Sequence, residues 1–184
     1  YILYHGITLL GGEAGYRIPH RVQDGYGMRE YMAQEAYEEG YDTIVTCDNG
    51  ISAVEAVNRA KELGMTIIVT DHHEVPKIDG KESLPVADVV VDPKQEACSY
   101  PFSELCGAGI AYKLMKELFE RFGRKDAEEE LLPYAAVATV CDVVPLLDEN
   151  RLITKKGLLY LNRREQVGMK ALLEASALDR EINS

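Results

Sequence analysis

The sequence contains no Cys-x-x-Cys pair and no hydrophobic run near the roughly 20 residues that a membrane span requires. Neither a zinc site built on paired cysteines nor a membrane-spanning helix is therefore expected. The first ten residues include His5 and lack the basic leader of a signal peptide. We expect a cytoplasmic protein whose cysteines are free, buried or half-buried thiols: Cys47, Cys98, Cys106 and Cys141.

Cationic side chains are scarce. The 20 Lys and Arg residues stand against 31 Asp and Glu residues, which gives a formal net charge of −11. This balance argues against broad, non-specific binding of nucleic acid by the chain alone. It is compatible with an enzyme that acts on nucleic acid, because an acidic site collects divalent cations that then neutralise substrate phosphates. The 184 residues carry no internal repeat and suffice for one sizeable domain.

In the first half of the chain, short apolar segments alternate with segments of helical spacing. This alternation predicts βαβ units and an α/β fold, with a mostly parallel sheet flanked by helices. The expected strands are 14–18, 43–47, 65–70 and 87–91, and the expected helices are 1–10, 28–39 and 53–63. Ser52 is a candidate N-cap of the third helix, and Glu55 would complete its capping box.

The last third of the chain has helical spacing throughout. The expected helices are 107–121, 131–140, 152–161 and 169–175. The segment 131–140 is almost wholly apolar, which predicts a central position. We expect a single domain over residues 1–184, with an α/β part at 1–95 and a mainly helical part at 96–184.

Acids and imidazoles directly follow three of the hydrophobic segments. Asp48 follows 43–47, Asp71-His72-His73 follows 65–70, and Asp142 follows 135–141. Ligands of parallel sheets bind beyond the carboxyl ends of the strands, so Asp48 and Asp71 meet in one crevice if their strands are neighbours. Imidazole suits manganese, iron or zinc-like ions better than magnesium. Two such ions about 3.5–4 Å apart would clamp a phosphorus centre for in-line attack.

Plainer structural roles remain open for these residues. Residues 71–73 could form a polar turn after a strand, and Asp142 could cap a following helix. A cysteine nucleophile is a weaker alternative, because Cys47 and Cys141 each precede an Asp, whose charge disfavours the thiolate.

Several stretches of the chain resemble the motifs of a known family. Three stretches resemble the second, third and fourth motifs of the DHH phosphoesterases: TCDNGIS (46–52), VTDHHE (69–74) and ATVCDVVPL (138–146). Two further stretches are similar to the RecJ branch of that family: IPHRVQDGYG (18–27) and YPFSELCGAGIAYKL (100–114). RecJ-type enzymes are 5′→3′ exonucleases specific for single-stranded DNA. The resemblance implies a phosphodiester hydrolase that acts on single-stranded DNA and has no membrane partner.

The resemblance also implies roles for the residues of these motifs. Asp48 would bridge two Mn²⁺ ions, although Mg²⁺ could serve, and His72 and Asp142 would complete the ligands of the second ion. His73 would face the substrate phosphate and stabilise its developing negative charge. Asp71 would orient a neighbouring imidazole.

Weaker assignments concern substrate binding. Arg17 and Arg21 would approach the nucleic-acid backbone, and Gly107 and Gly109 would allow a phosphate to come close to the main chain. Tyr26 could stack on a base, although packing is the expectation for this side chain.

The chain departs from the family pattern at its amino terminus. The first family motif, an Asp-rich strand end, has no counterpart here, and the sequence begins without Met. We therefore expect a fragment that is inactive by itself. A strand missing from this end would leave a bare sheet edge, which favours self-association. Two other functions stay open: a DHH phosphodiesterase for short oligonucleotides or cyclic dinucleotides, and a non-catalytic RecJ-like binding module.

Overall fold

The computed structural model describes residues 1–177 and 181–182. The chain divides into two compact units: Gly15–Ser103, and Tyr1–Ala14 together with Glu104–Ser184. The expectation of a single domain, with an α/β part at 1–95 and a mainly helical part at 96–184, stays a prediction. Within the described part, no helix is long and apolar enough to cross a membrane.

The unit Gly15–Ser103 contains a parallel sheet with helices packed against it. Its strands are β1 (Thr43–Val45), β2 (Thr66–Thr70) and β5 (Val89–Val91), in the order β1-β2-β5, and both pairings are parallel. The helices are α2 (Glu30–Glu38) and α3 (Val54–Glu62). A short antiparallel pair, β3 (Lys77–Ile78) and β4 (Lys81–Glu82), completes the unit. The predicted α/β fold with a parallel sheet is confirmed.

The central strand and the inner faces of α2 and α3 form the core of this unit. Ala33, Val57, Ala60, Ile67 and Val69 are all fully buried and belong to one cluster. Each large aliphatic side chain in such a core stabilises the fold by about 1.5–3 kcal/mol. This packing fixes the sheet, and with it the edge at which the strands end.

The unit Tyr1–Ala14 and Glu104–Ser184 is helical. Its helices are α1 (Ile2–Leu9), α4 (Gly107–Arg121), α5 (Glu128–Cys141), α6 (Asp148–Asn162) and α7 (Val167–Ala175), with a 3₁₀ turn at Lys125–Ala127. Helix α5 is central, as its apolar sequence predicts: Leu131, Ala135 and Ala136 are fully buried. A Cβ atom added at Gly157 of α6 would lie 2.3 Å from the Ala136 Cβ, so these two helices pack backbone against backbone.

Two local predictions are wrong. Residues 14–18 form no strand, because the segment finds no neighbouring strand among the described residues and leaves Tyr16 and Ile18 exposed. Ser52 does not cap α3. The Ala53 amide donates to the Gly50 carbonyl at 3.1 Å, so Ser52 belongs to a turn and Ala53 takes the cap position without a side-chain bond.

The cysteines are all free, as predicted, but two of them are more open than expected. Cys47 and Cys141 are exposed, whereas Cys98 is half-buried and Cys106 is buried. Cys47 lies just beyond the end of β1, and Cys141 is the last residue of α5.

Candidate metal centre

Two neighbouring strands bring the candidate ligands to one edge of the sheet. Beyond β1, the ladder continues through the Asp48 amide, which donates to the Thr70 carbonyl at 3.1 Å. The Thr70 hydroxyl in turn donates to the Thr46 carbonyl at 2.6 Å, and both threonines are buried. Asp48 and Asp71 therefore leave the sheet side by side, as expected from adjacent parallel strands.

Asp48, His72 and His73 form a cluster. One ligand atom from each of the three side chains lies within 4.8 Å of the others. The His72 Nε2 and Asp48 Oδ1 atoms are 2.9 Å apart, and the two imidazole rings are 4.6 Å apart. Because metal–nitrogen and metal–oxygen bonds are about 2.0–2.2 Å long, the 2.9 Å separation of the Asp48 and His72 atoms suits two ligands that share one cation.

The Asp48 Oδ1 atom shows that the residues fit a cation. This oxygen is buried and accepts no hydrogen bond from any described residue, although His72 Nε2 lies 2.9 Å away. A buried carboxylate oxygen without a donor is costly. A divalent ion would give this Asp48 oxygen a partner, and the mixed oxygen and nitrogen donor set suits manganese.

Asp71 is arranged to orient its neighbours. Its side chain is 1 % exposed, and its Oδ2 accepts the Ile51 amide at 3.0 Å. Its Oδ1 lies 2.7 Å from His73 Nδ1 and accepts the His72 amide at 2.8 Å. Because both oxygens are engaged, the carboxylate holds the His73 ring with Nε2 directed away from it. This geometry agrees with the orienting role that the resemblance implies for Asp71, which stays a prediction.

Asp92 is a third acid at this sheet edge, and it is not among the site residues predicted from the sequence. It follows β5 as Asp71 follows β2, and the Asp71 amide donates to the Val91 carbonyl at 3.0 Å. Its Oδ1 accepts the Lys94 amide at 2.9 Å, but its buried Oδ2 has no partner among the described residues. Burial, followed by the charge of Asp71, raises the pKa of Asp92 to about 6. The sequence signal that could have identified Asp92 is an acid directly after a predicted strand.

Tyr26 also belongs to the site. Its hydroxyl donates to the Asp48 carbonyl and lies 3.3 Å from His73 Nε2. The predicted packing is limited to the contact of its ring with His73, because 63 % of Tyr26 is exposed, and base stacking stays a prediction. Its place between Gly25 and Gly27 was the sequence signal for a tight loop that carries an aromatic ring.

The predicted substrate-binding residues of the sheet unit lie in different surroundings. Arg17 forms ion pairs with Glu39, the C-cap of α2, and, at 3.6 Å, with Glu35 of that helix, so two acids already engage its guanidinium. Arg21 is exposed and forms no hydrogen bond or ion pair with any residue in the described ranges. A role in binding nucleic acid stays a prediction for both.

The remaining predicted site residues lie in the helical unit. Asp142 follows the last turn of α5 as its C-cap, so the alternative of an N-cap is wrong, because the next helix has Leu147 in that position. Gly107 and Gly109 are buried in the first turn of α4. A Cβ at Gly109 would meet Leu105 and Cys106 at ordinary distances of 3.4 Å and more, so its neighbours do not require a glycine. The predicted roles of these three residues stay predictions.

Comparison with known proteins identifies the family. The family model described as "DHH family, N-terminal domain" matches residues 1–139. The chain belongs to the DHH family. Its Asp71-His72-His73 segment carries the three letters of the family name, and this segment supplies two members of the cluster described above.

Curated relatives of this DHH protein include the single-stranded-DNA-specific exonucleases RecJ of Bacillus subtilis and Escherichia coli. The chain is 42% identical to the first over 178 residues, covering 97% of this chain and 21% of the relative. It is 38% identical to the second over 175 residues, covering 89% and 30%. The chain thus spans between a fifth and a third of the length of these two relatives.

Solved structures similar to this DHH protein include an exonuclease RecJ bound to manganese. That structure superposes with a TM-score of 0.80 at 35% identity, covering 95% of this chain and 43% of the other. RecJ from Thermus thermophilus, in complex with Mn²⁺, superposes with a TM-score of 0.75 at 31% identity, covering 95% and 24%. The predicted resemblance to RecJ is confirmed.

Proposed function

We propose that this chain is the metal-binding part of a nuclease that hydrolyses phosphodiester bonds in single-stranded DNA, with manganese as its metal. The convergence of Asp48, His72 and His73 within 4.8 Å carries the proposal. The RecJ names of the relatives and the manganese in the similar structures support it. Because the relatives are much longer, the substrate and the activity are proposed for the complete gene product.

The residues divide the chemistry between them. Asp48 and His72 would hold the metal, which would supply Lewis-acid chemistry by activating water and stabilising negative charge on a phosphoryl oxygen. His73, held by Asp71 at 2.7 Å, presents its Nε2 edge for a phosphate oxygen. Asp142 is proposed as a further ligand because it occupies the position of the family's fourth motif. Arg17, Arg21, Gly107 and Gly109 are proposed contacts of the DNA backbone.

The metal site is tested by Mn²⁺ titration, followed by electron paramagnetic resonance, of the chain and its Asp48→Ala variant. Loss of a ligand should weaken binding by more than the 10–100-fold that loss of an outer-shell partner costs. Asp42→Ala is the matched control, because Asp42 is an exposed carboxylate just before the opposite end of β1. Equal affinities for the chain and Asp48→Ala would remove Asp48 from the metal site. Asp142→Ala tests the proposed fourth-motif ligand in the same way.

The activity is tested on the complete gene product with Mn²⁺ and 5′-labelled single-stranded DNA. Release of mononucleotides supports the nuclease. Hydrolysis of dinucleotides alone would instead identify a small-substrate phosphodiesterase, and DNA binding without hydrolysis would identify a binding module. Self-association through β1 or β5, the outer strands of the described sheet, also stays a proposal.

A further inference from the structure

Tyr26 is an exposed aromatic residue whose contacts are directed at the metal cluster. It lies between Gly25 and Gly27, whose φ angles are +75° and +86°, so the chain makes a left-handed bend on either side of it. Glycine adopts such angles at little cost. Because 63 % of Tyr26 is exposed, burial of the ring does not account for its position.

The Tyr26 hydroxyl contacts the turn that carries Asp48. Asp48 has a φ of +62°, which strains a residue with a Cβ and persists only where its surroundings hold it. The hydroxyl donates to the Asp48 carbonyl. A second bond joins the same two segments, because the Met28 amide donates to Asn49 Oδ1 at 3.2 Å. The loop around residue 26 is therefore attached to the strained turn at two points.

Tyr26 also contacts His73. Its ring meets the imidazole edge to face, with centroids 5.4 Å apart and an interplanar angle of 69°. The hydroxyl lies 3.3 Å from His73 Nε2, on the side of the imidazole opposite to the Asp71 contact at Nδ1. Edge-to-face aromatic pairs are favourable beyond the area that they bury. The imidazole is thus held by a carboxylate on one side and a phenol on the other.

We propose that Tyr26 is a positioning residue. Its hydroxyl fixes the Asp48 turn, and its ring fixes the His73 imidazole. The metal ligand Asp48 and the phosphate-facing His73 therefore keep a fixed distance and orientation relative to each other. The proposal rests on the metal site and nuclease function proposed above. Sites of this kind lose activity when their groups are displaced by as little as about 1 Å. A single side chain that contacts both groups prevents such a displacement.

The test compares Tyr26→Phe with the wild type in the complete gene product. The variant keeps the ring contact with His73 and loses only the hydroxyl. We expect the Kd for Mn²⁺ to rise about two- to tenfold, the fold-change that corresponds to one hydrogen bond. We expect kcat on single-stranded DNA to fall by a similar factor, with KM for DNA unchanged. Tyr37→Phe is the matched control, because Tyr37 is half-exposed on α2 and should change neither quantity.

A second variant, Tyr26→Ala, removes the ring as well. In ¹⁵N-histidine spectra, the His73 ring signals should shift in Tyr26→Phe and broaden in Tyr26→Ala, while the melting temperature of Tyr26→Phe stays that of the wild type. Wild-type Kd and kcat in Tyr26→Phe would overturn the proposal. So would a rise in KM alone, which would make Tyr26 a contact of the DNA.

Asp48→Ala separates this proposal from the metal site itself. If Asp48→Ala loses Mn²⁺ while Tyr26→Phe matches the wild type, only the role of Tyr26 is overturned. If Asp48→Ala binds Mn²⁺ with wild-type affinity, the metal site is overturned, and the role of Tyr26 with it.

Discussion

Replacement of Asp92 by Asn should stabilise the protein at neutral pH. Asp92 is 2 % exposed, and its Oδ2 is buried without a partner in the described part of the chain. The carboxylate of Asp71, itself 1 % exposed, ends the adjacent strand. Ionisation of Asp92 therefore places a second negative charge in a poorly solvated position, which costs free energy. An amide at this position carries no charge.

The magnitude follows from the pKa of Asp92. Burial, the largest cause, and the charge of Asp71 raise this pKa from 3.8 to about 6, whereas the Lys94 amide and the charges of His72 and Lys94 oppose the rise. A difference of about 2 pKa units corresponds to about 3 kcal/mol of unfolding free energy. Below about pH 4 both the folded and the unfolded state hold the proton, and this contribution to the unfolding free energy is fully present. The contribution is lost as the pH rises through about 6.

The side-chain amide of Asp92→Asn introduces a cost that offsets part of the stability gained by removing the charge. In Asp92→Asn the side chain would keep the oxygen that accepts the Lys94 amide, but its buried NH₂ group would lack an acceptor, which costs about 1–3 kcal/mol. We therefore expect Asp92→Asn to be more stable than the wild type by up to about 2 kcal/mol at pH 7.5, and to have no advantage at pH 4.

The assay is urea denaturation in the presence of a chelator, repeated from pH 4 to pH 8. Asp42→Asn is the control, because Asp42 is exposed and its replacement should leave the pH profile of the wild type unchanged. A difference between Asp92→Asn and the wild type that is the same at every pH would refute the reasoning, since it would show that Asp92 does not titrate differently on folding. Destabilisation at pH 7.5 would refute it as well.

Two glycines give further predictions. Gly157→Ala should destabilise the chain by about 1–3 kcal/mol in urea denaturation, because the new methyl group would lie 2.3 Å from the Ala136 Cβ. The control Gly168→Ala meets nothing within 4 Å and should be neutral or stabilising, so equal effects would contradict the close approach of α5 and α6. Gly50→Ala should cost about 2 kcal/mol or more and weaken Mn²⁺ binding, because Gly50 has a φ of +118° and a Cβ there would lie 2.7 Å from Thr46 Oγ1. Unchanged stability and Mn²⁺ affinity in Gly50→Ala would show that the turn after Asp48 tolerates a side chain.

The helices and central strands could be predicted because their signals are local. Helix α4 has the bounds predicted for it, Gly107–Arg121, since apolar spacing and a following glycine define both its face and its end. The predicted strand at 14–18 failed for the opposite reason. Its residues have the right composition, but a strand needs a neighbour, and no local pattern shows whether one is present.

The sequence by itself determined that Asp48 and the Asp71-His72-His73 segment lie at the same edge of a parallel sheet, because parallel strands end on the same side. The tertiary structure decided that their strands, β1 and β2, are neighbours. Only the tertiary structure decided which further groups meet them there. Tyr26 reaches the Asp48 carbonyl across 22 residues of chain, and Asp92 comes beside Asp71 through the β2–β5 pairing. Contacts of this kind depend on how loops and strands pack, which no pattern within a few residues of Tyr26 or Asp92 encodes.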